Sequence, residues 1–285
     1  VKRLQEESFF IVKQGILVGD AWRPFAFEEV LMQRAERLPV VHIWRHARAF
    51  IAGMRDRRLP RAEEALRRLR QEGYATVVRN SGGAAVPLHE GVLNISVIFP
   101  RTKGTLDIYD DFAWMVDFLS AVLAPLNVRF ERGEVRGSYC PGEYDLSIRG
   151  RKFCGIAQRR RIEAYTVQAF VIVEGDGMAA GQIAKRFYEE AAGGRDDLGV
   201  PQVRPETMAS LLELTGHVTM DKFTACLMDR LYAWGGREDR GLISRYEDDV
   251  REQIERMRRR YDQTSGGTVD DGIADDSSGR GQEPL

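Results

Sequence analysis

Cys140 stands beside a Pro-Gly turn and Lys152 follows on the next β-rich stretch, GEYDLSIRGRKFCGIAQRRR. A thiol attacks as its thiolate, and a neighbouring cation favours that form near neutral pH. The chemistry this pair suits is nucleophilic attack by an activated sulfur. Cys154 is the rival nucleophile. On a regular strand Lys152 and Cys154 share a face, about 7 Å apart at a rise of ~3.3 Å per residue. In a two-residue hairpin Lys152 instead lies opposite Ser147, so Cys140 approaches it only if Pro141-Gly142 folds the chain back. Spacing leaves the choice between the cysteines open, and a cysteine without such a role serves as a small apolar residue.

A second candidate is the segment Arg79-Asn80-Ser81-Gly82-Gly83, where a strand runs out into a loop. Its two glycines permit positive φ and close backbone approach, so its N–H groups can stabilise charge on a carbonyl oxygen or wall an acyl pocket. His89 lies in the loop that follows and can polarise a carbonyl or act as a structural hydrogen-bonder. His42 and His46 flank Trp44 without the further ligands a divalent metal needs. Arg159, Arg160 and Arg161 read as a solvated strand end or a dock for an acidic partner. Neither a G-x-x-x-x-G-K-[ST] loop nor a strand-borne G-x-G-x-x-G is present.

The elements that must position these residues alternate. One helix is expected over 27–37, ended by Pro39, with short strands over 40–44 and 49–52. An amphipathic helix follows over 61–72, with Gly73 past its end, then strands over 74–79 and 92–99. A helix spans 108–123, with Asp107, Asp110 and Asp111 near its N-terminus. Tyr144 to Ile148 and Lys152 to Gln158 form a hairpin turning at Arg149-Gly150. A buried strand covers 165–173 and a helix 178–192. Pro205 opens a helix ending near Gly216, Thr219 caps one reaching Trp234, and 242–262 recurs at helical spacing. Interleaved strands and helices, some strands joined as hairpins, predict an α+β (mixed α/β) domain with a mixed sheet flanked by helices.

The expected organisation is a lead-in segment over 1–35, a catalytic domain over 36–236, a C-terminal helix over 237–263 and a disordered tail over 264–285 rich in Gly, Ser and Asp. With 285 residues, 43% hydrophobic, the chain has ample length for a core. Its formal net charge of −1 removes the bulk electrostatic case for nucleic acid or an anionic membrane. Nothing reaches the ~18 apolar residues of a membrane span. Three cysteines without metal spacing suit reduced thiols, and the cytoplasm is the expected location.

The segments RNSGGAAVPLHEGVLNIS (79–96) and GSYCPGEYDLSIRGRKFCGIAQRR (137–160) resemble the biotin/lipoate protein ligase superfamily. Within it they are most similar to the cysteine-dependent octanoyltransferases of lipoate assembly, and among these to the amidotransferases acting on the glycine cleavage H protein. GMRDRRLP (53–60) and RPETMASL (204–211) agree, so the resemblance covers roughly residues 40 to 225. It implies Cys140 as acyl-thioester nucleophile, Lys152 as the residue lowering the thiol pKa, and Arg79, Ser81, Gly82, Gly83 and His89 on the substrate side. Cys154 stands where relatives often have alanine. Ala84 stands where many members have a third glycine, and His89 where amidotransferase relatives have aspartate. The implied reaction moves octanoyl from the H protein to the lysine of lipoyl domains of 2-oxoacid dehydrogenases, with no cofactor. An acyl carrier protein donor, an ATP-dependent lipoate ligase and a non-catalytic lipoyl-domain binder are the alternatives.

Overall fold

A computed structural model describes residues 4, 8–34, 38–101 and 108–261. The first half runs β1 (Phe9–Leu17), α1 (Trp22–Arg34), β2 (Val40–His46), β3 (Arg48–Ala52), α2 (Met54–Arg57) and α3 (Ala62–Gln71). Next come β4 (Ala75–Val78), β5 (Val86–His89), β6 (Val92–Pro100), α4 (Ile108–Leu123) and β7 (Glu131–Arg132). The hairpin strands are β8 (Leu146–Ile148) and β9 (Arg151–Arg160), followed by β10 (Ala164–Ile172) and α5 (Gly177–Ala192). The chain closes with α6 (Leu211–Thr215), α7 (Met220–Ala233), β11 (Gly236–Glu238), α8 (Leu242–Arg245) and α9 (Glu247–Tyr261).

Eight strands form the main sheet in the order β11-β1-β2-β6-β10-β9-β8-β7, and three form a smaller one, β4-β3-β5. β1 runs parallel to β2 and β11, while the joins from β2 to β7 are antiparallel. The mixed sheet with flanking helices is thus the architecture its alternating pattern predicted.

Strand period two decides the layering. Leu93, Ile95, Val97 and Phe99 of β6 pack with Trp114 and Phe118 of α4 and Phe223 and Leu227 of α7. Val92 and Ile98, on the other face, join α1, the small sheet, α3, α5 and α9 in the second core. Asn94 and Ser96 share that second face, which leaves a polar strip among apolar neighbours.

Several elements depart from their expected form. Strand β1 carries little strand signal in its sequence, because its second half, from Lys13, is largely exposed and breaks the apolar pattern. Helix α1 begins at Trp22 rather than Phe27. Asp20 accepts the Trp22 N–H at 2.9 Å, and Pro24 fits a first helical turn. The expected C-terminal end of that helix, and Asp107 before α4, lie outside the described residues, as does the tail over 264–285. Pro205 does not open a long helix. It forms one 3-10 turn, and α6 starts afresh at Ser210, whose side chain and Glu213 make a capping box. The expected helix over 242–262 is two, broken at Tyr246. His89 ends a strand rather than sitting in a loop. No helix among the described residues is long and apolar enough to cross a membrane.

Candidate active site

The hairpin forms where its turn residues put it. Arg149 and Gly150 have φ of 52° and 72°, the left-handed pair of a two-residue turn, so Ile148 faces Arg151 and Ser147 faces Lys152. The next pair is Leu146 with Cys154, so Phe153 is one extra residue on β9. This is a β-bulge, and it breaks the alternation. Phe153 and Cys154 both enter the core beneath α4 and α7, while the Lys152 ammonium lies 5.5 Å from the Phe170 ring centre on the opposite face. The expectation that Lys152 and Cys154 share a face is therefore corrected. Cys154 is fully enclosed, and burial pushes its thiol pKa upward.

Cys140 comes to Lys152 by the other route. The segment Gly142–Asp145 closes on itself, with Asp145 N–H donating to Gly142 O at 3.1 Å and Gly142 N–H donating to Asp145 Oδ2 at 3.1 Å. Cys140 precedes this turn with φ of 47°. From β9 the Lys152 Nζ donates to Cys140 O at 2.6 Å and Tyr139 O at 2.9 Å, and stands 2.9 Å from Asp145 Oδ2. Lys152 and Asp145 are both buried. Burial raises the Asp145 pKa, and the neighbouring ammonium offsets part of that rise.

Two other groups reach the Cys140 sulfur itself. The Ala84 N–H donates to Sγ at 3.2 Å, and Arg79 Nη2 does so at 3.4 Å. Arg79 Nη2 also donates to Ala84 O at 2.8 Å, which folds the loop over its own strand end. Gly83 makes that fold possible. Its φ is +94°, and a Cβ there would collide with the Arg79 guanidinium and stand 3.0 Å from Sγ. A buried bridge holds the loop from below. Tyr188 O–H donates to Asp56 Oδ1 at 3.0 Å and accepts the Ala85 N–H at 3.0 Å, while Asp56 Oδ2 accepts the Gly53 N–H at 2.7 Å. Burial raises the pKa of both Asp56 and Tyr188.

Cys140 and Arg79 line a narrow cleft between the main sheet and the small sheet. Phe25, Trp44, Ile51, Val86, Leu88 and Phe170 make its walls apolar, and Asn94, Ser96 and Gln168 add polar points along one side. Below that strip, His42 is held between Glu28 Oε1 at 2.8 Å and Gln14 Oε1 at 3.0 Å, with no metal-like cluster among the described residues.

The structure brings Cys140, Lys152, Arg79 and the Gly82-Gly83 loop together. Ser81 is buried in the same loop, while Gly82 N–H donates to Gln158 O at 3.2 Å. His89 is not among the cleft residues. It accepts the Gly91 N–H at 3.1 Å, packs on Gly175, and burial lowers its pKa. The arginine run is no solvated strand end. Arg159 and Arg161 pair with the buried Glu29 of α1, and Arg160 pairs with Asp111 of α4. Asp145, Asp56, Tyr188 and the Ala84 N–H went unread in the sequence. Only Asp145 had a local signal there: it closes the Pro-Gly turn, and a buried strand lysine needs an acid.

The lipoyl protein ligase A/B catalytic domain family matches this chain over residues 20–232. A Geobacillus kaustophilus protein named octanoyl-GcvH:protein N-octanoyltransferase is 44% identical over 76% of this chain and 78% of its own. An Anoxybacillus flavithermus protein of the same name is 41% identical over 82% and 87%. Among solved structures, a lipoate-protein ligase A bound with ATP superimposes with a TM-score of 0.68 at 21% identity, covering 87% of this chain and 95% of that one. A bipartite lipoate protein ligase from Thermoplasma acidophilum gives 0.65 at 21% identity, covering 88% and 93%. At that identity the two structures speak for the fold alone.

Proposed function

The chain belongs to the lipoyl protein ligase A/B catalytic domain family, and we propose that it is an acyltransferase moving octanoyl from octanoylated glycine cleavage H protein to a lysine of lipoyl domains. The observation that carries the reading is the Cys140 sulfur, met by two N–H donors and lining an apolar cleft. A cleft of this kind suits a saturated tail. Burying methylenes contributes about 0.8 kcal/mol each, or roughly 5 kcal/mol for an octanoyl chain.

The reaction has two balanced halves. The Cys140 sulfur attacks the octanoyl amide carbonyl, the S–C bond forms and the C–N bond to the donor lysine breaks. The proton given up by the thiol ends on the departing amine. The acceptor lysine ε-amine then attacks the thioester, the C–S bond breaks and the thiol regains a proton. One lysine amide replaces another, so no nucleotide is consumed. The cytoplasm is the compartment in which three unpaired cysteines persist as thiols.

Intact-mass analysis tests this directly. Incubation with octanoylated H protein should add one octanoyl group, sensitive to hydroxylamine and independent of ATP. Acylation by octanoyl-acyl carrier protein alone would reassign the donor, a strict ATP requirement would mark a ligase, and no covalent mass with any donor would mark a binder.

A further inference from the structure

We propose that Arg79, together with the Ala84 N–H, is the group that holds the Cys140 thiolate, and that Lys152 is a positioning residue acting on the backbone around it. The inference rests on the reading of Cys140 as nucleophile and assigns the direct charge partner of that sulfur.

The donor inventory of Lys152 is full. An ammonium has three N–H donors, and these face Tyr139 O, Cys140 O and Asp145 Oδ2. None is left for the sulfur in this arrangement. Its charge is matched as well, because Asp145 stands 2.9 Å away in an equally buried position. At the sulfur, such a pair acts as a dipole rather than a free cation, and the two fields largely cancel.

Arg79 differs on both points. Its Nη2 touches the sulfur, and its buried guanidinium makes no ion pair with a carboxylate among the described residues. Asp56 stands near enough for Arg79 to lower its pKa, yet its two oxygens are taken by the Gly53 N–H and the Tyr188 hydroxyl. Buried charges are paired in folded proteins, and here the group in hydrogen-bonding contact that can become an anion is the Cys140 thiol. Loss of its proton to solvent creates the counter-ion that Arg79 lacks. The Ala84 N–H adds a second donor to the same atom.

The geometry also explains what Lys152 does. Cys140 adopts a left-handed backbone that L-residues disfavour, and the lysine clamps the carbonyls of Tyr139 and Cys140 so that Sγ is held against the Gly83-Ala84 loop.

The test is the rate of Cys140 alkylation by iodoacetamide against pH, with the modified cysteine identified by peptide mass and folding checked by circular dichroism. Alkylation needs no acyl donor, so it reads the sulfur independently of the function; octanoyl-enzyme formation is measured separately. Arg79→Gln should slow alkylation about tenfold at neutral pH and less at high pH, where solvent alone yields the thiolate. Arg79→Lys, which keeps the charge, should recover part of the rate. Arg79→Met, which keeps the length without the charge, supplies the same reading should Arg79→Gln not fold. The charge-neutral double variant Lys152→Gln/Asp145→Asn should slow alkylation less than Arg79→Gln does. A rate unchanged in Arg79→Gln and Arg79→Met, or a larger loss in the double variant, would overturn the assignment. Normal alkylation with no octanoyl-enzyme from any donor would instead sink the functional reading and leave this one standing.

Discussion

The Lys152 ammonium and the Asp145 carboxylate lie 2.9 Å apart with both side chains buried, which makes them a closed ion pair within the wall of the cleft. Removing one partner leaves the other charge uncompensated and costs about 3–5 kcal/mol, whereas replacing both costs less. Lys152→Met should therefore lower unfolding free energy by about that amount, and adding Asp145→Leu should recover part of it. Urea unfolding of the two single variants and the double variant measures the coupling. Strictly additive losses would mean that the two charges do not depend on each other.

The two cysteines near Lys152 should part company under mass spectrometry. Cys140→Ser should give no hydroxylamine-sensitive octanoyl-enzyme. Cys154→Ala should still give it, since Cys154 faces the α4 and α7 core and burial disfavours its thiolate. Its stability cost should be about 1 kcal/mol, the loss of a small buried group. A dead Cys154 variant beside an active Cys140 variant would reverse the assignment.

Tyr188 carries the loop from beneath through one hydroxyl. Tyr188→Phe leaves an Asp56 oxygen and the Ala85 N–H without that partner, at about 1–3 kcal/mol. The loop that presents the Ala84 N–H should loosen, so acyl-enzyme formation should slow by more than thermal stability alone predicts. Equal rates in stopped-time mass measurements would confine Tyr188 to a structural part.

Glu29 should make stability depend on acid. Burial alone would raise its pKa, but Arg159, Arg161 and the Asn80 amide outweigh it and hold the carboxyl below the ordinary range. A depressed value means stability that is present above the unfolded-state pKa of about 4.3 and lost as pH falls through the folded value. Glu29→Gln should cost about 2 kcal/mol at pH 7 and progressively less below about pH 4. A constant difference between the two proteins from pH 7 to pH 3 would show that the carboxylate is not what ties α1 to β9.

The hairpin was readable residue by residue because its determinants are adjacent: Arg149-Gly150 supplies a two-residue turn, and that turn alone sets Ser147 opposite Lys152. Helices α3, α4, α5 and α7 were likewise marked by local signals, such as the Thr219 cap before α7 and Gly193 after α5. The nucleophile candidates and the glycine loop were legible as types and spacings. Which cysteine meets the lysine was not, because strand alternation yields at Phe153, whose packing against Phe130 and Leu146 favours a bulge over regular pleating. Strand β1 and the broken helices after Pro205 and at Tyr246 depended on neighbours distant in the chain. The partners of the Cys140 sulfur lie further off still: Arg79 is 61 residues away and Ala84 56 residues away. By itself the sequence determined the local turns, the caps and the chemical inventory, since these follow from backbone preference and residue type. Only tertiary packing decided which charge faces the sulfur, because that depends on two segments, 79–84 and 139–152, being pressed together by cores drawn mostly from other parts of the chain.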